Sequence, residues 1–304
     1  MIDAPSSTWF TVSPEWGWLI ALYFFFGGLA AGSYLLAVLI DFLGAKSDRP
    51  LARLGYYTAI PCLMICGVLL IADLSRPDRF WHLFVEIHTF RPMLKPWSPM
   101  SMGSWALPLF SFFAVLSFVG ALSESGRVSW RGATRLRPPH AAGKVVGALG
   151  ALLAFFVGGY SGVLLAVTNR PIWADTTLLG MLLLVSAISI SAAFMLFLAQ
   201  RRAHFDPRGL EALRRVGVSV IALEILVLIA VVVSLGPAAR GWLNGWGLLL
   251  LLAVTLNAFS LPPALGWFRD AYRRMPPGLA PLGVLAAGLI LRGVLVYSSE
   301  AITL

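Results

Sequence analysis

The chain has 304 residues, 59% of them hydrophobic and only 12% charged, and its mean hydropathy is +0.83. A soluble domain carries roughly 25% charged residues, so this sequence lacks the charge to clothe a water-facing surface, which excludes both a soluble enzyme and a disordered segment. The formal charge of +9 points to basic loops at a membrane face rather than to nucleic acid.

A membrane-crossing helix needs about 20 mostly apolar residues. Eight stretches qualify, near 17–42, 56–74, 104–123, 145–168, 177–199, 215–235, 245–266 and 281–303. None shows the alternation of a membrane-spanning strand. The expected fold class is therefore all-α, a polytopic membrane protein of eight transmembrane helices. The first run follows an acidic stretch (Asp3, Glu15) and outruns a usual signal-peptide core, so it is expected to stay as a helix. It carries Tyr23 about two turns from its start and then Gly28-Leu-Ala-Ala-Gly32, a spacing that favours close helix packing. The second run holds Cys62 and Cys66, one turn apart and too few to build a metal cluster, and it ends at Asp73 with Arg76 just beyond. Residues 75–103 form the longest connection and carry Arg76, Arg79, Arg91 and Lys95 among Phe80, Trp81, Phe84 and Trp97. A loop of that length suits either partner docking or an interfacial anchor.

Trp105 opens the third run, and a basic linker, 124–144, follows it. The linker divides one membrane domain (1–304) into 1–123 and 145–304, read as two four-helix bundles in which the 145–168 helix joins the first. The fourth run contains Gly158-Gly-Tyr-Ser-Gly162, which places Tyr160 at about the depth of Tyr23. Glu224 and Arg292 fall near the middles of the sixth and eighth runs. Ionisable residues at that depth are costly, which makes them functional candidates by default. The simplest reading is a paired Glu–Arg, either a structural lock or one step of a proton path.

Lys and Arg are strongly biased to one side. Lys46, Arg49, Arg53, Arg127, Arg131, Arg135, Arg137, Lys144, Arg201, Arg202, Arg208, Arg214, Arg215, Arg269, Arg273 and Arg274 share it, against Arg76, Arg79, Arg91, Lys95, Arg170 and Arg240 on the other. The bias predicts that both termini face the periplasm. Histidines 82, 88, 140 and 204 all lie in connections, whereas haem held between helices needs histidines inside the spans. On chemistry alone, Tyr23, Asp73, Arg76 and Tyr160 form an inventory suited to a carbonyl-bearing ring: phenols donate to carbonyl oxygens and a carboxylate exchanges protons. The competing reading is an aromatic belt with Asp73 capped by Arg76 at the water interface.

Several motifs, in order, resemble the NrfD/PsrC family of membrane quinone-binding subunits of respiratory, polysulfide reductase-like oxidoreductases. They are Gly28-Leu-Ala-Ala-Gly32, Ala72-Asp73-Leu74-Ser75-Arg76-Pro77, Arg79-Phe80-Trp81, Trp97-Ser98-Pro99-Met100, Met102-Gly103-Ser104-Trp105, Tyr160-Ser161-Gly162 and Asn169-Arg170-Pro171-Ile172-Trp173. The resemblance implies two four-helix bundles in the bacterial cytoplasmic (inner) membrane, without haem or iron–sulfur cluster. It implies menaquinone or ubiquinone bound as substrate, with Tyr160 and Asp73 at carried-over positions; with Tyr23 and Arg76 beside them these form the expected quinone site, Asp73 exchanging protons. It further implies a periplasmic ferredoxin-like iron–sulfur partner docked through 75–103, with a molybdopterin catalytic subunit beyond, so that the protein alone is no complete enzyme. Ile20 and Tyr23 stand where a polysulfide reductase-like member has Asn and His, a departure that leaves the quinone type open. Arg240-Gly241 and Arg292 match basic positions of the family, whereas Glu224 has no assigned counterpart. A transporter, or an anchor without quinone, remains the alternative.

Overall fold

The computed structural model describes residues 14–128, 130–201, 205–260 and 278–300. Eight α-helices follow in order: α1 (Trp18–Leu43), α2 (Arg49–Asp73), α3 (Pro99–Glu124), α4 (Ala141–Ala166), α5 (Leu179–Ala199), α6 (Pro207–Leu235), α7 (Gly245–Ser260) and α8 (Leu279–Glu300). All but α7 are long and apolar enough to cross a membrane, and α7 is a shorter apolar helix. Among the described residues there is no strand, only a single bridge between Val85 and Pro92. The all-α, polytopic expectation is met. The ends of the seventh and eighth expected runs (261–266 and 301–303) lie outside the described residues, as do Asp3, Arg202, His204, Arg269, Arg273 and Arg274.

Several helices begin earlier than hydropathy suggests, because their first turns are polar and capped. Pro50 lies in the first turn of α2. Ser98 Oγ accepts from the Ser101 N–H at 3.4 Å ahead of Pro99 in α3. Asp206 accepts from the Arg208 N–H at 2.8 Å at the start of α6. That backbone donor, with Ser47 assisting, holds the exposed Asp206 carboxyl below the usual aspartate range. Such caps satisfy orphan N–H groups that an apolar run cannot.

The helices α1 to α4 close into one ring of neighbours and α5 to α8 into another; α1 also packs on α5 and α8, and α4 on α5. Glycine makes the central seam possible. A Cβ at Gly32 would run into the Ala187 carbonyl and Ser191 Oγ of α5. Ser191 Oγ in turn donates to the Leu29 carbonyl at 3.0 Å. The Gly28–Gly32 spacing is thus a packing device. Phe112, Leu152, Phe155, Leu226, Ile229, Val233, Leu248 and Leu251 lie exposed on the outside, the apolar belt a bilayer would cover.

At one end of the molecule, the basic linker is pinned into the first ring. Arg137, 2% exposed, forms ion pairs with Asp41 of α1 and Glu124 of α3. Arg49 of α2 also reaches Glu124 at 2.9 Å and donates to the Pro138 carbonyl. Burial alone would weaken the hold of Arg137 on its proton; the hydrogen bond and charge of Asp41 and the charge of Glu124 outweigh that and raise its pKa. At the other end, the α4–α5 connection is stapled to the end of α8: Arg170 donates to the Ser299 carbonyl at 2.7 Å and Trp173 Nε1 to the Leu295 carbonyl at 2.5 Å. Ser299 Oγ donates to the Pro171 carbonyl at 2.7 Å. The Asn-Arg-Pro-Ile-Trp motif is therefore a structural clasp between the two rings.

Candidate functional site

Tyr23 lies in the second turn of α1, and Tyr160 about as far from the far end of α4. The two antiparallel helices bring both phenols to one layer, near the end that carries the 75–98 connection. Both are buried, each 6% exposed, and within electrostatic reach of one another. Cys66 of α2 completes the layer, its thiol donating to the Tyr23 carbonyl at 3.9 Å. The residue could be found in the sequence only by depth: it sits two turns before Asp73, as far from the helix end as the tyrosines.

The two hydroxyls differ in what they touch. Tyr160 donates to the Pro99 carbonyl at 2.5 Å, at the first turn of α3, and its ring stacks on Phe156 with centroids 5.5 Å apart. Gly103 makes this possible, because a Cβ there would fall on the Tyr160 ring. The Tyr23 hydroxyl has no hydrogen-bond partner among the described residues. The residue as a whole is buried, but its hydroxyl oxygen keeps some accessible surface.

Asp73 and Arg76 do not join this layer. Asp73 is the last residue of α2 and Arg76 precedes the 3-10 turn Pro77–Leu83; both are exposed. They form no ion pair with each other, so the capped-carboxylate reading is not what the structure holds. They stand at the rim, where the chain leaves the apolar belt. The connection beyond them folds back on itself: Met93 N–H donates to the Phe84 carbonyl at 2.8 Å and Trp105 Nε1 to the Met93 carbonyl at 3.1 Å. It presents Trp81, Phe90 and Trp97 to the outside together with Arg79, Arg91 and Lys95.

A second polar cluster occupies the interior of the other ring. Glu224, 3% exposed, accepts from Ser189 Oγ at 2.5 Å, with Ser186 and Asn257 close by. Arg292, 1% exposed, is close enough to Glu224 to feel its charge but makes no ion pair with it. Its guanidinium donates instead to the Phe24 carbonyl at 2.9 Å, Ser186 Oγ at 3.0 Å and the Gly288 carbonyl at 2.9 Å. The expected direct Glu–Arg pair is thus absent: Arg292 is held by Ser186 and two backbone carbonyls, and Glu224 by Ser189. Gly28 leaves room for the guanidinium, since a Cβ there would stand 2.7 Å from Arg292 Nη2. The serines at 186 and 189 and Asn257 carry this arrangement; their only sequence signal is a polar residue within an otherwise apolar run. Both clusters meet at α1, where adjacent carbonyls, Tyr23 and Phe24, accept from Cys66 and Arg292. No group of three or more His, Cys, Asp or Glu that could hold a metal occurs among the described residues.

Comparison with known proteins gives the family. The family model described as "Polysulphide reductase, NrfD" matches residues 11–244. Protein NrfD of Escherichia coli strain K12 is 27% identical over 305 residues, covering 94% of this chain and 95% of its own length. A polysulfide reductase chain of Wolinella succinogenes is 30% identical over 184 residues, 57% of this chain and 55% of that protein. A selenate reductase subunit of Mesobacillus selenatarsenatis is 27% identical over 247 residues, 71% of this chain. The chain spans only 56% of that last relative's length. With a match over most of its length and a multi-span helical fold, the chain belongs to the NrfD polysulphide reductase family.

Proposed function

We propose that this chain is the membrane anchor and quinone-binding subunit of a respiratory reductase complex in the bacterial cytoplasmic membrane. It exchanges electrons between the membrane quinone pool and an iron–sulfur partner on its outer face, with a molybdopterin catalytic subunit beyond. Three relatives bearing the names of reductase subunits or chains support the anchor role. The observation that carries quinone binding is the Tyr23 phenol: it lies in one layer with Tyr160, and the Tyr23 hydroxyl makes no hydrogen bond with a described residue and keeps some accessible surface.

The two phenols suit the two redox forms of such a ligand. Tyr23 has a free O–H to give to a quinone carbonyl. Tyr160 already donates its O–H hydrogen bond to the Pro99 carbonyl, so its oxygen is left to accept from a quinol hydroxyl. The bound quinone supplies a two-electron, two-proton couple. Asp73 and Arg76, exposed at the rim, then face protons and water rather than the ring itself, and Asp73 serves as the proton exchanger. The 75–98 connection offers aromatic and basic side chains to a partner with an acidic, partly apolar face. It ends at Pro99, whose carbonyl holds Tyr160, so docking and the phenol layer are one covalent step apart.

The test is quinone content and inhibitor binding in the complex purified in mild detergent. Stoichiometric quinone is expected, with inhibitor affinity lowered about tenfold in Tyr23→Phe, the loss of roughly one buried hydrogen bond. No quinone and no inhibitor binding in an intact complex would leave a bare structural anchor or a transporter.

A further inference from the structure

The Tyr160 hydroxyl rests on a stretch of backbone that the core does not hold. Its acceptor, the Pro99 carbonyl at 2.5 Å, belongs to the first turn of α3. From Ser98 to Trp105 no residue is buried, and the first buried residue of α3 is Ala106. A helix end without packing frays readily, because its first N–H groups have no intrahelical partner and few apolar contacts resist opening. The fit leaves no slack: a Cβ at Gly103, one turn into α3, would stand 2.4 Å from the Tyr160 hydroxyl oxygen. Any shift of this turn therefore either crowds the phenol or takes its acceptor away.

Hydrogen bonds do the holding instead. Trp105 Nε1 donates to the Met93 carbonyl at 3.1 Å, and Ser101 Oγ reaches the same carbonyl at 3.5 Å. Ser101 Oγ also accepts from the Lys95 N–H at 3.0 Å. Met93 is itself fixed, its N–H donating to the Phe84 carbonyl at 2.8 Å, and the Trp105 ring packs edge-on against Phe84 with centroids 5.6 Å apart. Met93 and Trp105 stand six residues to either side of Pro99, so the bond between them closes the chain around that carbonyl and removes much of its freedom. Resting on the quinone reading, we propose that Trp105 is a positioning residue for the quinone site: by fastening Met93 to α3 it keeps the Pro99 carbonyl on the Tyr160 hydroxyl. With that O–H committed, the phenol oxygen faces the ligand as an acceptor. When the fastening is lost, the O–H is free to turn, and the site loses its distinction between a donating and an accepting phenol.

The test uses the purified complex in mild detergent. Trp105→Phe keeps a ring against Phe84 but has no N–H to give. Affinity for a quinone-site inhibitor is expected to fall about threefold to fivefold, up to the worth of one hydrogen bond. The Tyr160 C–O stretching band, identified in infrared difference spectra by its loss in Tyr160→Phe, is expected to shift as the hydroxyl loses its acceptor. A merely structural Trp105 would lower the unfolding midpoint and leave band and affinity as in wild type, which overturns the proposal. If Trp105→Phe does not assemble, Ser101→Ala carries the same test, because it removes the acceptor of the Lys95 N–H and the second donor to the Met93 carbonyl. An unchanged band and affinity there overturn the proposal equally. The two failures are distinct: wild type that binds no inhibitor fells the quinone reading itself, whereas wild-type binding with an unmoved band fells only the role of Trp105.

Discussion

Tyr23 and Tyr160 look interchangeable in the sequence, but their hydroxyls make opposite predictions. Tyr23→Phe removes a hydroxyl that no described residue uses, so stability should move by no more than about 0.5 kcal/mol while quinone-site affinity falls. Tyr160→Phe removes a bond to the Pro99 carbonyl and should lower stability by about 1 kcal/mol. Thermal unfolding of the two variants and wild type in detergent separates these outcomes; equal loss in both would mean that Tyr23 has a structural partner. The sequence made the depth of both residues legible, because rise per residue and helix direction fix it. It could not show which hydroxyl was engaged. That depends on Pro99 and Gly103, which reach Tyr160 only through the packing of α3 on α4. For the same reason Glu224 and Arg292 could be placed at one depth, while the serines that hold each of them, Ser189 and Ser186, could not be foreseen.

At the scale of helices, hydropathy located the seven long apolar helices and the shorter α7, and errors gathered at the ends, where Pro, Ser and Asp caps extend helices through polar turns. Glycine spacing carried information of a different kind. A side chain at Gly32 collides with the α5 backbone, whereas a Cβ at Gly67 of α2 meets nothing within 4 Å. Gly32→Leu should therefore force α1 away from α5, strain the Ser191–Leu29 bond and cost about 1–3 kcal/mol, as overpacking does. Gly67→Leu should be neutral or slightly stabilising, since Leu is the better helix former. The paired unfolding midpoints check this; similar effects at both positions would mean that helix propensity rather than the α1–α5 seam controls the result. The sequence marks both glycines alike, and only the neighbour across the seam tells them apart.

The whole molecule is held at its two ends by different means. One end uses hydrogen bonds to backbone: the 169–173 clasp joins the rings through indole, guanidinium and hydroxyl donors to backbone carbonyls of α8 and the clasp itself. The other uses charge, with Arg137 from the linker bridging Asp41 and Glu124 while Arg49 shares Glu124. Tyr56 adds a donor to Asp41 at 3.0 Å. Four segments of the chain thus converge on one guanidinium whose side chain is 2% exposed, beside an Asp41 side chain at 1%. Removing only the cation strands a buried carboxylate, a change that costs about 3–5 kcal/mol, whereas removing both charges together is far milder. Arg137→Met should consequently lower the unfolding midpoint sharply and expose the 124–140 linker to protease, and Asp41→Asn added to it should recover much of the loss. Arg137→Lys should restore only part, because one ammonium lacks the planar fork that meets two carboxylates at once. If Arg137→Met left both the midpoint and linker cleavage unchanged, the linker would have to be held by the Arg49–Glu124 pair and the Pro138 carbonyl alone, and the network would be redundant rather than the fastening of the first ring.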